Sequence, residues 1–182
     1  MSNDATFTKQ MQEMVTKANR QAGWIMRTFK TRDPSCMVTL FKAMVLPILE
    51  YCSQLWSPNK LGEIRKIEAV QRSFTFRVSG MSNLSYWERL KRLNMYSLER
   101  RRERYTILYI YKIILGIAPN FESLRWSIKI RNSQRRGLSC EIPSITTSAS
   151  SRVKTMVDQS FAVRGPRLFN SIPVELRSGN MS

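Results

Sequence analysis

Apolar residues recur at steps of three and four along the first part of the chain. Phe7, Met11, Val15, Ala18, Ala22, Ile25 and Phe29 trace one face of a helix that runs to about Phe29. Asp33-Pro34 reads as a new start, an N-cap carboxylate followed by proline at the first helical position, and Met37, Leu40, Phe41, Met44, Val45 and Ile48 follow on one side. Pro47 removes a backbone hydrogen bond and crowds the preceding turn, so this helix is expected to bend there. A third helix is drawn by Leu61, Ile64, Ile67, Val70 or Gln71, and Phe74, with a narrow apolar side and a basic outer side. Ser85 to Glu88 matches a capping box and opens a short helix through Leu90 and Leu93. Ser97 then caps the helix of "LERRRERYTILYIYKIILG", which Gly116 and Pro119 end. Its segment Tyr105 to Leu115 is apolar nearly all round, which predicts a central or sandwiched helix.

Beyond Pro119 the periodicity is lost. Short apolar patches, "LSCEIPSI" and "QSFAVRG", lie between polar and serine-rich stretches such as "SITTSASSR", so short strands, loops and one brief helix near "PRLFNSI" are expected. The pattern as a whole predicts a mainly α protein: a helical bundle over residues 1–118, followed by an irregular basic region, 119–182.

Charge changes the picture more than length or hydrophobicity does. Of 182 residues 42% are hydrophobic, enough for a core, but 30 Lys and Arg face 13 Asp and Glu, a formal +17. Such an excess repels itself in a compact state and points to a polyanionic partner, nucleic acid first and an anionic membrane second. A spanning helix needs about 20 apolar residues. The run from Tyr105 to Ala118 is shorter and contains Lys112, so no span is expected. The opening Met-Ser-Asn-Asp lacks the basic and apolar regions of a secretory signal, and Cys36, Cys52 and Cys140 form no Cys-x-x-Cys pair. An intracellular protein, nuclear or cytoplasmic, with reduced thiols is the expectation.

Catalytic chemistry finds little to work with. Histidine is absent, which removes the commonest general base and most zinc ligand sets. Asp4, Asp33 and Asp158 each stand alone, and no Gly-rich phosphate loop occurs. Glu63 with Glu68, and Glu99 with Glu103, sit among arginines and lysines at helical spacing and read as solvated intrahelical ion pairs. No cofactor or metal is implied.

The basic surface is more informative. Lys60 to Lys112 holds thirteen Lys and Arg against five Glu, and Arg125 to Arg136 holds five basic residues and no acid. Candidate phosphate contacts are Arg65, Lys66, Arg72 and Arg77; Arg89, Lys91 and Arg92; Arg100, Arg101, Arg102 and Arg104; and Arg131, Arg135 and Arg136. The four arginines that open the last helix cannot all point one way, so two or three contacts are expected among them. Tyr86, Trp87, Tyr105, Tyr109 and Tyr111 lie among these cations and could stack on bases, although such residues more often serve a core or its hydrogen-bonding shell.

The stretches "RTFKTRD", "LPILEYCSQLWSP" and "IEAVQRSFTFRVSG" occur in that order between Arg27 and Gly80. In order and spacing they closely resemble the segment after the catalytic palm in reverse transcriptases of non-LTR, LINE-type retrotransposons. "LSYWERLKRLNMYSLERRRERYTILYIYKIILG" and "SFAVRGPRLFNSIPVELR" are similar to later stretches of the same polyproteins. The resemblance covers nearly all of residues 7 to 177. It implies the helical thumb of an RNA-directed DNA polymerase and the region after it, which grip template and primer, RNA or DNA, beside the palm and fingers. The palm and its paired catalytic aspartates are not in this sequence, so no catalytic residue carries over. A remnant serving as a protein-interaction scaffold is the second reading, and an amphipathic protein at an anionic membrane the third. Without clustered carboxylates or histidine, the purified chain is expected to show neither nucleotide incorporation nor nuclease activity with any divalent metal. A labelled-nucleotide assay against a vector control checks this.

Overall fold

The stripes and caps are realised as a mainly helical fold in the computed structural model of the protein, which describes residues 8–53, 57–58, 60–120, 128–133, 137–143, 154, 157–158 and 160–177. Phe7, Arg135 and Arg136 lie outside the described residues. By compactness the chain divides into two units, the first within residues 1–53 and 58–102, the second within 54–57 and 103–182. The division falls inside a helix, earlier than the boundary at 118/119 that periodicity suggests. The reason lies in Ile110 and Ile113, which pack with Ile128, Cys140 and Phe169 of the C-terminal region.

In the first unit, helix α1 (Thr8–Thr28) buries Met11, Ala18, Ala22 and Ile25, and the two alanines let neighbouring backbones approach. Its carbonyl end is closed from outside the helix: the Arg32 guanidinium donates to the carbonyl of Met26 at 2.7 Å, and also to those of Phe29 and Thr31. Asp33 accepts from the amide of Cys36 at 3.0 Å and starts α2 (Pro34–Leu40), with Pro34 in the first turn. Ahead of Pro47, where a bend is expected, the helix changes its turn. Phe41–Val45 is a π-helical turn, after which α3 (Leu46–Glu50) resumes with Pro47 in its own first turn. The wider turn accommodates a ring that has no N–H and would crowd a regular one.

Helix α4 (Leu61–Phe76) buries Ile67, Val70, Gln71 and Phe74, so both alternatives at 70 and 71 face inward. The Phe74 ring lies 4.8 Å from that of Phe41. Leu61, expected at the head of the stripe, is exposed, and Ile64 is only partly buried. This first turn is reached by the hydroxyl of Thr8, which donates to Glu63 at 3.0 Å. Val78 and Met81 anchor the loop after α4 in the core, and Gly80 at φ 72° makes the turn. Ser85 and Glu88 then form the complete capping box of α5 (Tyr86–Arg92). The Glu88 carboxyl is held below the usual carboxylate range, first by the Ser85 side chain and then by its backbone. Asn94, at φ 49°, turns the chain toward α6 (Leu98–Ile114), where Ser97 accepts from the amide of Arg100 at 3.3 Å.

In the second unit, strands β1 (Ile130–Ser133) and β2 (Gly137–Cys140) pair antiparallel with Ile130 opposite Cys140. Helix α7 (Phe161–Asn170) starts within "QSFAVRG", earlier than the brief helix expected near "PRLFNSI". Gly165 and Pro166 lie inside the helix and are buried with Ala162, Val163 and Phe169. Gly165 packs close to Ile110, where an added Cβ would stand 2.9 Å from its Cδ1 and make that methyl shift. Tyr109 meets Phe161 edge-on and Tyr111 meets Phe169, at 5.3 and 5.2 Å between ring centres. A single turn, α8 (Val174–Arg177), follows. The segment expected to be sandwiched is not packed all round: Leu108 in α6 is 44% exposed, and Leu115 and Ile117, just past its end, are 68 and 70% exposed. None of the described helices is long and apolar enough to cross a membrane.

Ile67 is fully buried, so Ile67→Asp places a carboxylate in the apolar seam of α4. The cost is several kcal/mol, comparable with a small domain's whole stability of about 5–15 kcal/mol. Loss of the cooperative thermal transition by circular dichroism is expected.

Candidate nucleic-acid interface

The basic surface of the first unit is arranged by one acid. Glu68 sits on the inner side of α4 and is buried, not solvated as its spacing among cations suggests. Its carboxylate accepts the hydroxyl of Tyr86 and the amide of Leu98, the latter at 3.0 Å, so it caps the amino end of α6 with a charge. Gln71, one turn on, donates to the Tyr86 hydroxyl at 3.2 Å and to the carbonyl of Tyr96 at 3.0 Å. Burial, then the hydrogen bond and charge of Glu68, push the Tyr86 phenol well above its ordinary range. Burial pulls the Arg102 guanidinium down, opposed by the charges of Glu68, Glu50 and Glu99.

With Glu68 turned inward, the outer side of α4 carries cations and no acid. Arg65, Arg72 and Phe76 recur at seven and four residues, as do Lys66, Ser73 and Arg77, and all six are exposed. The Arg72 guanidinium lies 4.5 Å from the centre of the Tyr86 ring, which ties this face to α5. Lys91 and Arg92 are exposed on α5.

Two of the expected phosphate contacts are buried. Arg89 is buried: it donates to the carbonyls of Leu84 and Arg72, both at 3.3 Å, and stacks between Phe76 and Tyr86 at 5.5 and 5.7 Å. Arg102 is buried too, with Nη2 3.5 Å from the carbonyl of Leu49. Both guanidinium groups are turned into the fold rather than toward solvent. Arg101 forms a two-point ion pair with Glu50. Arg100 and Arg104 are exposed, and Arg100 lies 5.6 Å from the Tyr96 ring centre. In the second unit Arg131 is exposed and pairs with Glu141 at 3.1 Å.

The aromatics separate in the same way. Tyr86 is buried, Tyr109 and Tyr111 pack on α7, Tyr105 is half-buried, and Trp87 is exposed. Phe76 and Tyr96 are also exposed beside arginines, and the sequence reading missed both. Phe76 falls two residues past Phe74, on the far side of the helix, and that offset was the available signal. Among the described residues no group of three or more His, Cys, Asp or Glu is placed to hold a metal ion.

No family model matches the chain, and no solved structure gives a significant match. The chain is similar to an uncharacterized protein of Caenorhabditis elegans, B0403.1, with 25% identity over 132 residues that cover 70% of this chain and 67% of that protein.

Because the fold keeps Tyr86 protonated where the unfolded chain ionises it, its contribution to stability is full below about pH 10 and falls as pH rises above that value. Urea unfolding at a series of alkaline pH values is expected to show this fall, and Tyr86→Phe to reduce its slope by up to about one proton. At pH 7, Glu68→Ala strips the amino end of α6 and a buried arginine of their counter-charge, a loss of about 3–5 kcal/mol.

Proposed function

We propose that the chain is the nucleic-acid-gripping, thumb-like part of a LINE-type retrotransposon RNA-directed DNA polymerase, with the chemistry carried by a palm that this sequence does not contain. The observation that carries the reading is the acid-free outer side of α4, where Arg65, Lys66, Arg72 and Arg77 stand together in solvent. Three cations on one rigid helix and a fourth at its C-cap meet a phosphate backbone without reading its sequence. The ordered resemblance of "RTFKTRD", "LPILEYCSQLWSP" and "IEAVQRSFTFRVSG" supports the assignment to that polymerase family, and with it an intracellular setting, nuclear or cytoplasmic. Exposed Leu108, Leu115 and Ile117 support a second, compatible role, contact with the palm or fingers or with another protein partner.

The test is the salt dependence of RNA and duplex binding. Arg65→Gln with Lys66→Gln and Arg77→Gln keeps good helix formers on α4, so helix content is expected to stay constant. Each phosphate contact removed makes the slope of log affinity against log salt shallower by about 0.7 to 0.9, hence about 2 to 3 for the three. A triple variant with unchanged affinity and slope would show that this face is only solvated.

A further inference from the structure

We infer that the basic face of the first unit takes a single strand, with unpaired bases stacking on Phe76 and Trp87. The inference rests on the nucleic-acid reading above and deepens it. Phe76 and Trp87 are 52 and 65% exposed, a large apolar area left in water on a surface that also exposes Arg72, Arg77, Lys91 and Arg92, with Glu88 beside Trp87. The two rings are linked through two buried planar groups, Arg89 and Tyr86, with the Tyr86 and Trp87 rings tilted at 53°. Arg89 stands 5.5 Å from the Phe76 ring centre and 5.7 Å from that of Tyr86, and the Tyr86 ring lies 5.3 Å from Trp87. The inner members are buried and fixed, Tyr86 by Glu68 and Gln71, Arg89 by two backbone carbonyls. The group therefore leaves two exposed aromatic rings on a rigid support, beside Arg72 on the α4 face.

Aromatic rings set among cations serve unpaired bases, because any base offers a π face for stacking while its phosphates meet the arginines. In a duplex those faces are covered by neighbouring pairs, and only the phosphates remain. A duplex thus uses the cations and leaves the rings idle; a single strand uses both.

The experiment is fluorescence anisotropy with the full chain, at matched salt, on labelled 20-mers of uridine and of thymidine and on a mixed-sequence duplex. Trp87→Ala with Phe76→Ala is expected to weaken single-strand binding at least tenfold, to leave duplex affinity within about twofold, and to leave the salt slope unchanged. Trp87→Phe with Phe76→Tyr should restore it, and both side chains are exposed enough for far-ultraviolet circular dichroism to stay constant. Equal losses on duplex and single strand, or no loss on either, would overturn the inference. If the unaltered chain binds with a steep salt slope while the aromatic variant matches it, this inference fails and the phosphate-gripping function stands. Failure of the unaltered chain to bind any of the three probes would overturn both.

Discussion

The first unit depends on a buried carboxylate. A charge removed from water is tolerated only where hydrogen bonds and opposite charge replace hydration, and Glu68 has both: the Tyr86 hydroxyl, the Leu98 amide and the nearby field of Arg102. These contacts join α4, α5 and the start of α6, elements whose apolar faces alone leave their relative rotation free. They also decide which side of α4 faces water. The acid is spent inside, so the outside of the helix is purely basic. A structural interaction thereby sets the sign of a functional surface.

The same economy runs through the arginines. A guanidinium near a carboxylate or a row of carbonyls folds inward; one on an acid-free face stays in solvent. Arg101 with Glu50, Arg102 against Leu49 and Arg89 over two carbonyls belong to the first kind. Arg65, Arg72 and Arg77 belong to the second. Composition counts both kinds alike, which is why a charge of +17 overstates the surface available to a polyanion.

Much of the fold was legible because it is local. The Asp33-Pro34 start, the Ser85 to Glu88 box and the positive φ at Gly116 each rest on a few neighbouring residues and their backbone groups. What escaped was set by distant residues. Glu68 has the same helical spacing to cations as any solvated acid, and only Tyr86 and Leu98, 18 and 30 residues on, turn it inward. The brief helix expected near "PRLFNSI" begins earlier, at Phe161, where Gly165 packs close to Ile110, a residue distant in sequence. In the candidate site, the cations of α4 could be read from their spacing, whereas Arg89, Arg102 and Phe76 took their roles from tertiary neighbours.

One polar side chain in the second unit reaches beyond its own helix. Asn170 accepts the amide of Cys140 at 2.9 Å and donates to its carbonyl at 2.8 Å, the two groups that a further strand would use. A primary amide that copies the donor and acceptor of a neighbouring backbone ends the sheet at that residue. The hairpin therefore presents a stoppered border at Cys140, where neither a passing peptide nor a second hairpin can extend the ladder. On the β2 side Arg177 adds to this border by donating to the carbonyl of Leu138 at 3.2 Å.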